Sequence, residues 1–563
     1  MNKSWQYYET NNELTEQISN KFNINKLLAQ ILINKGITEE KEIEIFLNPK
    51  RNNFYDPFLM PDMEKAINRI IKAIQNKEKI LIYGDYDVDG ITSTTVLKKF
   101  LEQRGANPEY HIPNRLKDGY GLNKQAIEEI AKNGTQLMIT VDCGISAVEE
   151  TEFAKSLGIE TIITDHHEPG DILPNAYAII DAKIKANKYP FNQLAGVGVV
   201  FKVIQAISIK LGLDEKEYLK YLDLVCLGTI SDIVPLVDEN RVIAKLGLKL
   251  VNVTKNLGLK TLLISSGYKI ADSNTISFGI APRINACGRM GFANEALQLL
   301  LSNEREEVSK LVEKLNEYNK ERQEKEKEIF EEAIRQIDKT EEKNPAIILG
   351  GNGWHHGVTG IVSSKITEIY FKPSILIGFE EGEGKGSGRS IPGVDLHEAI
   401  LKCSGKLEKF GGHAMAIGLS IKKENFAVFK KEVNEYLKNK NINQIKQIIM
   451  IDVIANLKDI TLETVEELKL LEPFGEVNRM PIFCIKNLRI ESIRALTEGK
   501  HLKINLRDDN MLINAIGFNM GEKSTEYKIG DKVDVVGALE MNEYNGMKSI
   551  QLNLKDIMKS LIQ

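Results

Sequence analysis

The sequence is poor in cysteine and in long apolar runs, and each shortage excludes a class of protein. Only five of its 563 residues are cysteine, and no two of them form a C-x-x-C pair. This argues against a zinc ribbon or a disulfide framework and indicates reduced cytoplasm. No apolar stretch approaches the roughly 18 residues of a membrane span, and the opening MNKSWQYYETNNELTEQ has no apolar signal segment. We therefore expect a cytoplasmic protein that does not contact membranes.

Positive charge is not in excess. The 74 Lys and Arg residues are outnumbered by 79 Asp and Glu residues, which gives a net charge of −5 and a pI near 6.1. A protein that coats duplex DNA mainly by electrostatics is therefore disfavoured, and any nucleic-acid contact must depend on local basic groups. Hydrophobic residues make up 42% and charged residues 27%, which is typical of a folded chain of this length with several domains.

Short apolar runs alternate with helical stretches between residues 80 and 185. The runs KILIY, QLMITV, TIIT and AYAII end at Tyr83, Val141, Thr164 and Ile180. Each is almost wholly apolar, as expected of strands buried on both faces, and the spacing leaves room for a crossover helix. The pattern predicts a parallel doubly wound α/β sheet, whose ligands bind beyond the carboxyl ends of the strands.

The rest of the chain divides into further units. Apolar residues recur at helical spacing from Val308 to Tyr318 within a strongly charged stretch, which predicts one long connecting helix. A second α/β unit follows, and the strand-like segments HLKINL, LINAIGF, KVDVVGAL and SIQLNL predict a small C-terminal β-barrel. The expected divisions are 1–60 (a segment packing on the core), 61–300 (first α/β unit), 301–343 (connecting helix), 344–445 (second α/β unit) and 448–563 (barrel).

Three alternate aspartates follow the first predicted strand, in the motif GDYDVDG. Asp85, Asp87 and Asp89 would repel one another at pH 7 unless a cation or a dense hydrogen-bond shell stabilised them. An EF-hand calcium loop is excluded because no closing Glu stands at the required distance, and a helix cap needs one Asp rather than three. The motif therefore favours metal binding.

The other strand ends also carry acidic or imidazole groups. Asp142 follows the second strand, Asp165, His166 and His167 follow the third, and Asp232 in TISDIVPL follows an apolar run that we interpret as a fourth. Together they predict two divalent cations about 3.5 to 4 Å apart, which activate water and neutralise charge on a phosphoryl group. Mixed carboxylate and imidazole ligands suit Mn²⁺ somewhat better than Mg²⁺. The expected reaction is phosphoester or phosphoanhydride hydrolysis.

Glycine-rich and arginine-containing segments supply candidate phosphate contacts. GKGSGRS is not a Walker A motif, but a loop of flexible amides with an arginine forms an anion nest, the alternative being a plain turn. APRINACGRMG is interpreted as a turn-rich segment, and its arginines bind either a phosphate backbone or surface carboxylates. The candidates are Arg115, Arg283, Asn285, Arg289, His355, Ser387, Arg389 and His413.

The motifs DYDVDG, VDCG, DHHE and SDIVPL resemble motifs I to IV of the DHH phosphoesterase superfamily, and their order and spacing are similar to those of the RecJ family of single-strand DNA exonucleases. The resemblance implies that Asp85, Asp87 and Asp142 surround one cation and that Asp89, Asp142, His166 and Asp232 surround the other. It makes Asp142 the bridging ligand and directs His167 at the scissile phosphate. The implied catalytic residues are Asp142, His166 and His167.

The resemblance extends over essentially the whole chain. GWHHGV, GKGSGRS and FGGHAMAIG are similar to a DHHA1 domain, in which Ser387 and Arg389 would hold the 5′ phosphate of the strand. Relatives commonly have proline where His356 stands, so its role is open. The barrel resembles an OB-fold, which binds single strands by a basic groove and stacking aromatics. Its candidates are Lys503, Phe518 and Tyr544.

The implied activity is 5′→3′ degradation of single-stranded DNA to mononucleotides in recombination and repair. We expect a monomer that works with a helicase and a single-strand-binding protein. The alternatives are a nanoRNase or cyclic-dinucleotide phosphodiesterase, an inorganic pyrophosphatase, and an inactive single-strand-binding scaffold. The length and the extra barrel disfavour the first, Tyr83 in place of a histidine before motif I disfavours the second, and the complete set of ligand positions disfavours the third.

Overall fold

The structure is a computed structural model that describes residues 3–560, except residues 116, 120, 186, 441, 443, 444 and 545 and the side chain of residue 544. Its largest hydrophobic cores lie in the first α/β unit, in the second α/β unit, and between the N-terminal helices and the C-terminal barrel. Within the described part of the chain, no helix has both the length and the apolar character needed to cross a bilayer.

The N-terminal segment is divided between two cores. Its first strand pairs in parallel with residues 448–451, and buried residues of its helices, such as Leu28 and Ile43, belong to the core of the barrel. Phe54, Tyr55 and Phe58 instead pack on the first α/β unit. We expected residues 1–60 to pack on the core. They pack on two cores, that of the barrel and that of the first α/β unit. Its elements are β1 (Ser4–Tyr7), α1 (Asn12–Phe22), α2 (Lys26–Asn34) and α3 (Glu40–Leu47).

The first α/β unit contains a five-stranded parallel sheet in the order β3-β2-β4-β5-β6. The predicted parallel sheet is confirmed, and helices cover both of its faces. Strands are β2 (Ile80–Tyr83), β3 (Glu109–His111), β4 (Leu137–Val141), β5 (Glu160–Thr164) and β6 (Ala178–Ile180); helices are α4 (Met63–Gln75), α5 (Val88–Glu102), α6 (Lys124–Lys132), α7 (Val148–Ser156), α8 (Gly196–Lys210), α9 (Lys216–Leu219), α10 (Leu222–Ser231), α11 (Asp238–Val251), α12 (Leu257–Ser265), α13 (Ala281–Met290) and α14 (Ala293–Leu301).

The predicted connecting helix is α15 (Arg305–Gln336), which ends several residues earlier than expected. Its 32 residues span about 48 Å at 1.5 Å per residue. Val308 and Leu315 are buried in the core of the first α/β unit, whereas Ile329 and Ala333 are buried against the second. The helix is therefore a strut with an apolar anchor near each end.

The second α/β unit has a mixed sheet in the order β10-β11-β9-β8-β7, in which only β7 and β8 run parallel. The glycine-rich GKGSGRS lies in its third strand and is not the loop that we predicted. The elements are β7 (Ile347–Asn352), α16 (His356–Tyr370), β8 (Ser374–Glu380), β9 (Glu383–Arg389), α17 (Leu396–Lys402), β10 (Leu407–His413), β11 (Ala416–Lys422) and α18 (Phe426–Asn439).

The C-terminal unit is a closed barrel, because the long strand β14 pairs with both β15 and β17. The predicted barrel is confirmed. Its elements are β12 (Ile448–Ile451), β13 (Val453–Ile454), α19 (Leu462–Glu467), β14 (Phe483–Leu496), β15 (His501–Asp508), β16 (Met511–Gly517), α20 (Lys523–Glu526), β17 (Lys532–Tyr544) and β18 (Met547–Lys559).

Candidate active site

Strand ends of the parallel sheet bring most of the predicted acidic residues together. Asp85 follows β2, Asp142 follows β4, and the Asp165–His167 run follows β5. The carboxyl ends of parallel strands meet at one edge of a sheet, so segments far apart in sequence converge there. Asp142 adopts φ 60°, a left-handed conformation. Gly196 lies against it, since a Cβ at that glycine would come 2.7 Å from Asp142 Oδ1.

One group of possible ligands consists of Asp85, Asp87 and Asp142, whose ligand atoms lie within 4.8 Å of one another. Asp87 is the N-cap of α5 and accepts a hydrogen bond from the Gly90 amide at 3.0 Å. Gly90 allows this turn to close, because a Cβ there would come 2.5 Å from the carbonyl oxygen of Asp85. Helix capping therefore fixes the orientation of the Asp87 carboxylate within this group.

A second group consists of Asp89, His166 and Asp232. Nε2 of His166 lies 3.9 Å from Asp89 Oδ2, 3.6 Å from Asp232 Oδ2 and 3.1 Å from Asp142 Oδ1. Asp89 accepts hydrogen bonds from the amides of Gly196 and Val197 at the start of α8, at 2.6 and 2.8 Å. Because His166 is close to Asp142, the two groups meet at that aspartate.

Asp232 reaches the site from a helix, not from the strand end that we predicted. It is the C-cap residue of α10. The loop after it is attached to the segment that enters the barrel, because the Leu236 amide donates to the Glu476 carbonyl at 3.0 Å. Arg241 strengthens this attachment by donating to the carbonyls of Leu470, Leu471 and Glu472. Hydrogen bonds thus connect the segment that enters the barrel with the loop that follows Asp232.

Asp165 organises the histidine motif, a role that we did not predict for it. Its buried carboxylate accepts hydrogen bonds from the amides of Ile145, His166 and His167 and contacts His167 Nδ1 at 2.7 Å. Although burial lowers it, the hydrogen bond and charge of Asp165 raise the pKa of His167 above its ordinary value. The sequence signal for this role is the first residue of DHHE, directly after the strand.

The electrostatics of the cluster fit divalent cations. Burial and then the neighbouring carboxylates raise the pKa of Asp85, Asp142 and Asp232. Burial, followed by the charge of Asp87, raises the pKa of Asp89 to about 7. In contrast, burial lowers the pKa of His166 to about 3, which keeps its imidazole in the neutral, ligating form. Buried acids that destabilise each other's charge are the donor set that a divalent cation stabilises.

A second feature, which we call the arginine cluster, comprises Arg115, Arg289, Arg322 and Arg389. Burial and the charges of the other three lower the pKa of Arg289 to about 10. Burial and Arg115 likewise lower the pKa of Arg389. Of the four, only Arg322 was not predicted; it lies on α15 and donates to Asn319 at 2.7 Å. The four guanidinium groups come from four separate segments of the chain, and that of Arg322 is paired with Glu326. The other three are the ones available to attract an anion.

The other predicted phosphate contacts do not belong to the arginine cluster. Residues 281–290 form the helix α13 and not a turn-rich segment. On it, Asn285 accepts from the Val88 amide at 3.2 Å and so supports the first turn of α5. Arg283 lies apart from the cluster and donates to Asn316 at 2.8 Å and to the Gly279 carbonyl. His355 caps α16, and His413 is exposed at the end of β10.

The barrel candidates lie on its surface. Phe518 is 57% exposed, and Lys503 is half-buried opposite Arg494 in the β14–β15 pair. The side chain of Tyr544 lies outside the described residues. Exposed aromatic and basic groups on a small barrel are suited to stacking and phosphate contacts with a single strand.

Family models match three regions of the chain. The model of the DHH family, N-terminal domain, matches residues 79–229, the DHHA1 domain model matches residues 343–439, and the RecJ OB domain model matches residues 451–556. These regions contain the parallel sheet, the mixed sheet and the barrel. The resemblance noted from the sequence is therefore confirmed for each of the three folded units.

Curated relatives match over most of the chain. The single-stranded-DNA-specific exonuclease RecJ of Bacillus subtilis is 39% identical over 558 residues, which cover 98% of this chain and 70% of that protein. RecJ of Haemophilus influenzae is 34% identical, with 95% and 96% covered. The crystal structure of Thermus thermophilus RecJ in complex with Mn²⁺ matches with a TM-score of 0.86 at 28% identity, covering 99% of this chain and 80% of that one. The Mg²⁺ complex of that protein matches with a TM-score of 0.79 at 26% identity, covering 99% and 79%.

Proposed function

The chain belongs to the RecJ family of single-stranded-DNA-specific exonucleases, and we propose that it degrades single-stranded DNA from the 5′ end to mononucleotides. It is a metal-dependent phosphodiesterase of the DHH type. The observation that carries the proposal is that the possible ligand groups share residues: Asp142 belongs with Asp85 and Asp87 and also with His166 and His167, and His166 belongs in turn with Asp89 and Asp232. Such an arrangement suits a two-metal hydrolase acting on a phosphodiester.

We assign the site residues as follows. When bound, a pair of divalent cations activates water and neutralises charge at the reacting phosphorus. Asp85, Asp87 and Asp142 hold one cation, and Asp89, Asp142, His166 and Asp232 hold the other, with Mn²⁺ preferred over Mg²⁺. The raised pKa of His167 favours a protonated ring, which we assign to hydrogen bonding with the scissile phosphate. Asp165 positions that ring through Nδ1.

In this proposal the second α/β unit holds the 5′ end of the DNA strand. Arg389 and Ser387 lie two residues apart on β9, so their side chains share one face of the strand. With Arg115 and Arg289 they offer guanidinium groups and a hydroxyl to a terminal 5′ phosphate. The distance between that anchor and the acidic cluster then determines the length of the product. Phe518 and Lys503 of the barrel contact the strand further along.

A nanoRNase or cyclic-dinucleotide phosphodiesterase is not favoured. Such a substrate needs no additional barrel, whereas here the barrel is attached to the loop that carries Asp232. The same proposal includes the oligomeric state, the location and the partners of the enzyme. The enzyme acts as a monomer in the cytoplasm, in recombination and repair, alongside a helicase that supplies single strands and a single-strand-binding protein. The five buried thiols fit a reducing compartment.

Strands blocked at one end test the polarity. A single strand of DNA is labelled internally and blocked at its 5′ end, at its 3′ end, or at neither, and is digested with Mn²⁺. We expect the 5′ block to stop degradation and the 3′ block to leave the initial rate unchanged, with chelator abolishing all cleavage. A strand protected only by the 3′ block would refute the polarity, and preferential turnover of dinucleotides would favour the alternative.

A pair of arginine variants tests the anchor. Arg389→Gln should weaken binding of a 5′-phosphorylated strand about tenfold, because one charge-assisted phosphate contact is lost. Arg283→Gln is the matched control, since that guanidinium is occupied by Asn316 and Gly279. Binding is measured by fluorescence anisotropy in Ca²⁺, with 5′-phosphate and 5′-hydroxyl strands. Equal losses in the two variants would contradict the assignment of Arg389.

A further inference from the structure

A cavity of about 300 Å³ in the second α/β unit is lined in part by Ser387, and its other lining residues have no role in the proposed reaction. It lies between the N-terminal end of α16 and the face of the mixed sheet. Two lysines, three hydroxyl residues and one histidine line it, together with small and apolar residues, and no carboxylate is among its lining. The lining residues are His356, Thr359, Lys385, Gly386, Ser387, Lys409, Phe410, Gly418, Leu419 and Ser420.

The cavity continues the row of groups assigned to the terminal phosphate. Side chains alternate along a strand, so Lys385, Ser387 and Arg389 project from the same face of β9. Arg389 belongs to the arginine cluster, and Lys385 lies at the opposite end of the row. The register places Ser420 beside Lys385, and Lys409 beside Ser420. Positive groups therefore extend past Ser387, away from the arginine cluster.

The wall formed by α16 also suits an anion. His356 is the first residue of this 15-residue helix, where backbone amides and the helix dipole favour negative charge. Its ring hydrogen-bonds the backbone of Lys385, while Nδ1 is buried and has no hydrogen-bond partner among the described residues. Thr359 donates its hydroxyl to the His356 carbonyl at 3.1 Å and so stabilises this turn. His356 therefore places an imidazole, a hydrogen-bonding group, in the lining of the cavity.

We propose that the cavity binds the two outer phosphates of a strand whose 5′ end carries a triphosphate. The inference rests on the proposed function, which places the innermost phosphate at Ser387 and Arg389. The outermost phosphate of a triphosphate lies two bridging oxygens further on, a span comparable with the rise of two strand residues, about 6.8 Å. That span leads from Ser387 to Lys385. Lys385 and Lys409 supply the positive charge, and His356 and Ser420 supply hydrogen bonds.

The proposal changes the first product of the reaction. Water attacks the phosphorus between the first and second nucleotides, the bond from that phosphorus to the 3′ oxygen breaks, and the 3′ oxygen takes up a proton. The first nucleotide is released as a nucleoside 5′-triphosphate, and the shortened strand keeps a 5′ monophosphate. All later products are nucleoside monophosphates. No oxidant or additional reactant is needed.

The test compares three DNA strands of identical sequence that carry a 5′ triphosphate, a 5′ monophosphate or a 5′ hydroxyl. The full chain is used with Ca²⁺ for binding and with Mn²⁺ for single-turnover cleavage followed by chromatography of the nucleotides. We expect the triphosphate strand to bind about tenfold more tightly than the monophosphate strand, and a nucleoside triphosphate to be the first product. In the double variant Lys385→Ala, Lys409→Ala, the triphosphate strand should bind no better than the monophosphate strand.

Matched controls separate this inference from the proposed function. Lys422→Ala removes an exposed lysine of the same sheet outside the cavity and should change no affinity. If the monophosphate strand binds no better than the hydroxyl strand, the anchor at Ser387 and Arg389 is wrong and the cavity proposal falls with it, whereas the proposed function fails only if no strand is degraded in Mn²⁺. If the monophosphate strand is preferred but the triphosphate gives no gain, or if the double variant weakens all three strands equally, the cavity proposal alone is overturned.

Discussion

The acidic edge of the parallel sheet and the basic face of the mixed sheet differ in how deeply their charged side chains are buried. The acidic residues lie at the ends of strands and helices, and Asp85, Asp89 and Asp142 are at most 4% exposed. Lys385 instead stands within a strand and is exposed, with Ser387 and Arg389 half-buried beside it. Burial makes the first region depend on a bound counter-charge, whereas solvent stabilises much of the second.

The two regions also differ in what their glycines allow the backbone to approach. At the acidic edge, glycines allow loops and helix starts to approach carboxylates, as Gly90 and Gly196 do. On β9 every second residue is glycine, and these glycines face the core. A Cβ at Gly384, Gly386 or Gly388 would come within 2.6 to 2.8 Å of a core side chain. The strand is thus pressed onto the core on one face while the other carries the charged groups.

The largest expected effect comes from Asp142, which we propose as the bridging ligand at the acidic edge. Asp142→Ala should lower the rate of hydrolysis by about 10³-fold or more, since cation stabilisation is worth several kcal/mol and about 1.4 kcal/mol is a factor of ten. Digestion of a labelled strand measures the rate, and titration of Mn²⁺ by calorimetry measures metal binding. Binding of the strand itself should remain largely intact, because the strand is anchored by the second unit.

The matched control for Asp142 is Asp181→Asn. Asp181 is another buried aspartate at a strand end of the same sheet, and it belongs to none of the possible ligand groups. We expect Mn²⁺ stoichiometry and rate to stay close to wild type. Wild-type activity in the Asp142 variant would contradict its bridging role, and an equal loss in both variants would show that any buried strand-end acid is required.

The glycine pattern of β9 predicts an intermediate effect on stability. Gly386→Ala should destabilise the second unit by about 1 to 3 kcal/mol, because its Cβ would come 2.7 Å from Ile377 Cγ1 and overpack the core. Differential scanning calorimetry measures the unfolding temperature. Gly411→Ala in the neighbouring strand β10 is the control, since a Cβ there meets nothing within 4 Å. Equal unfolding temperatures in the two variants would contradict the packing argument.

The smallest effect is a pH dependence at Asp181. Burial raises the pKa of this side chain to about 7, and Oδ2 has no hydrogen-bond partner among the described residues. The folded state therefore binds more protons than the unfolded state between about pH 4, the ordinary range of an aspartate, and pH 7, so the contribution of Asp181 to stability falls as pH rises through this window. Asp181→Asn should unfold at nearly the wild-type temperature at pH 5 and a few degrees higher at pH 8, measured in chelator.

Sequence patterns predicted the elements whose signal is local. The strand ends at Tyr83, Val141 and Thr164 and the long helix followed from short apolar runs and helical spacing. The helix before Asp232 was misread as a strand because LDLVCLGTIS is almost wholly apolar, and a helix buried on all sides has no polar face. Glycines in GKGSGRS indicated a loop by composition, whereas packing against the core made this segment a strand.

Sequence by itself indicated the donor chemistry of this protein, because clustered carboxylates beside histidines after buried strands repel one another unless a cation or a dense hydrogen-bond shell stabilises them. The family resemblance followed from the same residues. Tertiary structure decided which groups meet. It placed Asp232 on a helix end beside His166, joined Arg322 to the arginine cluster, and opened a cavity next to Ser387. The physical reason is that these contacts join elements far apart in the chain, and only the packing of sheets, helices and barrel sets their distances.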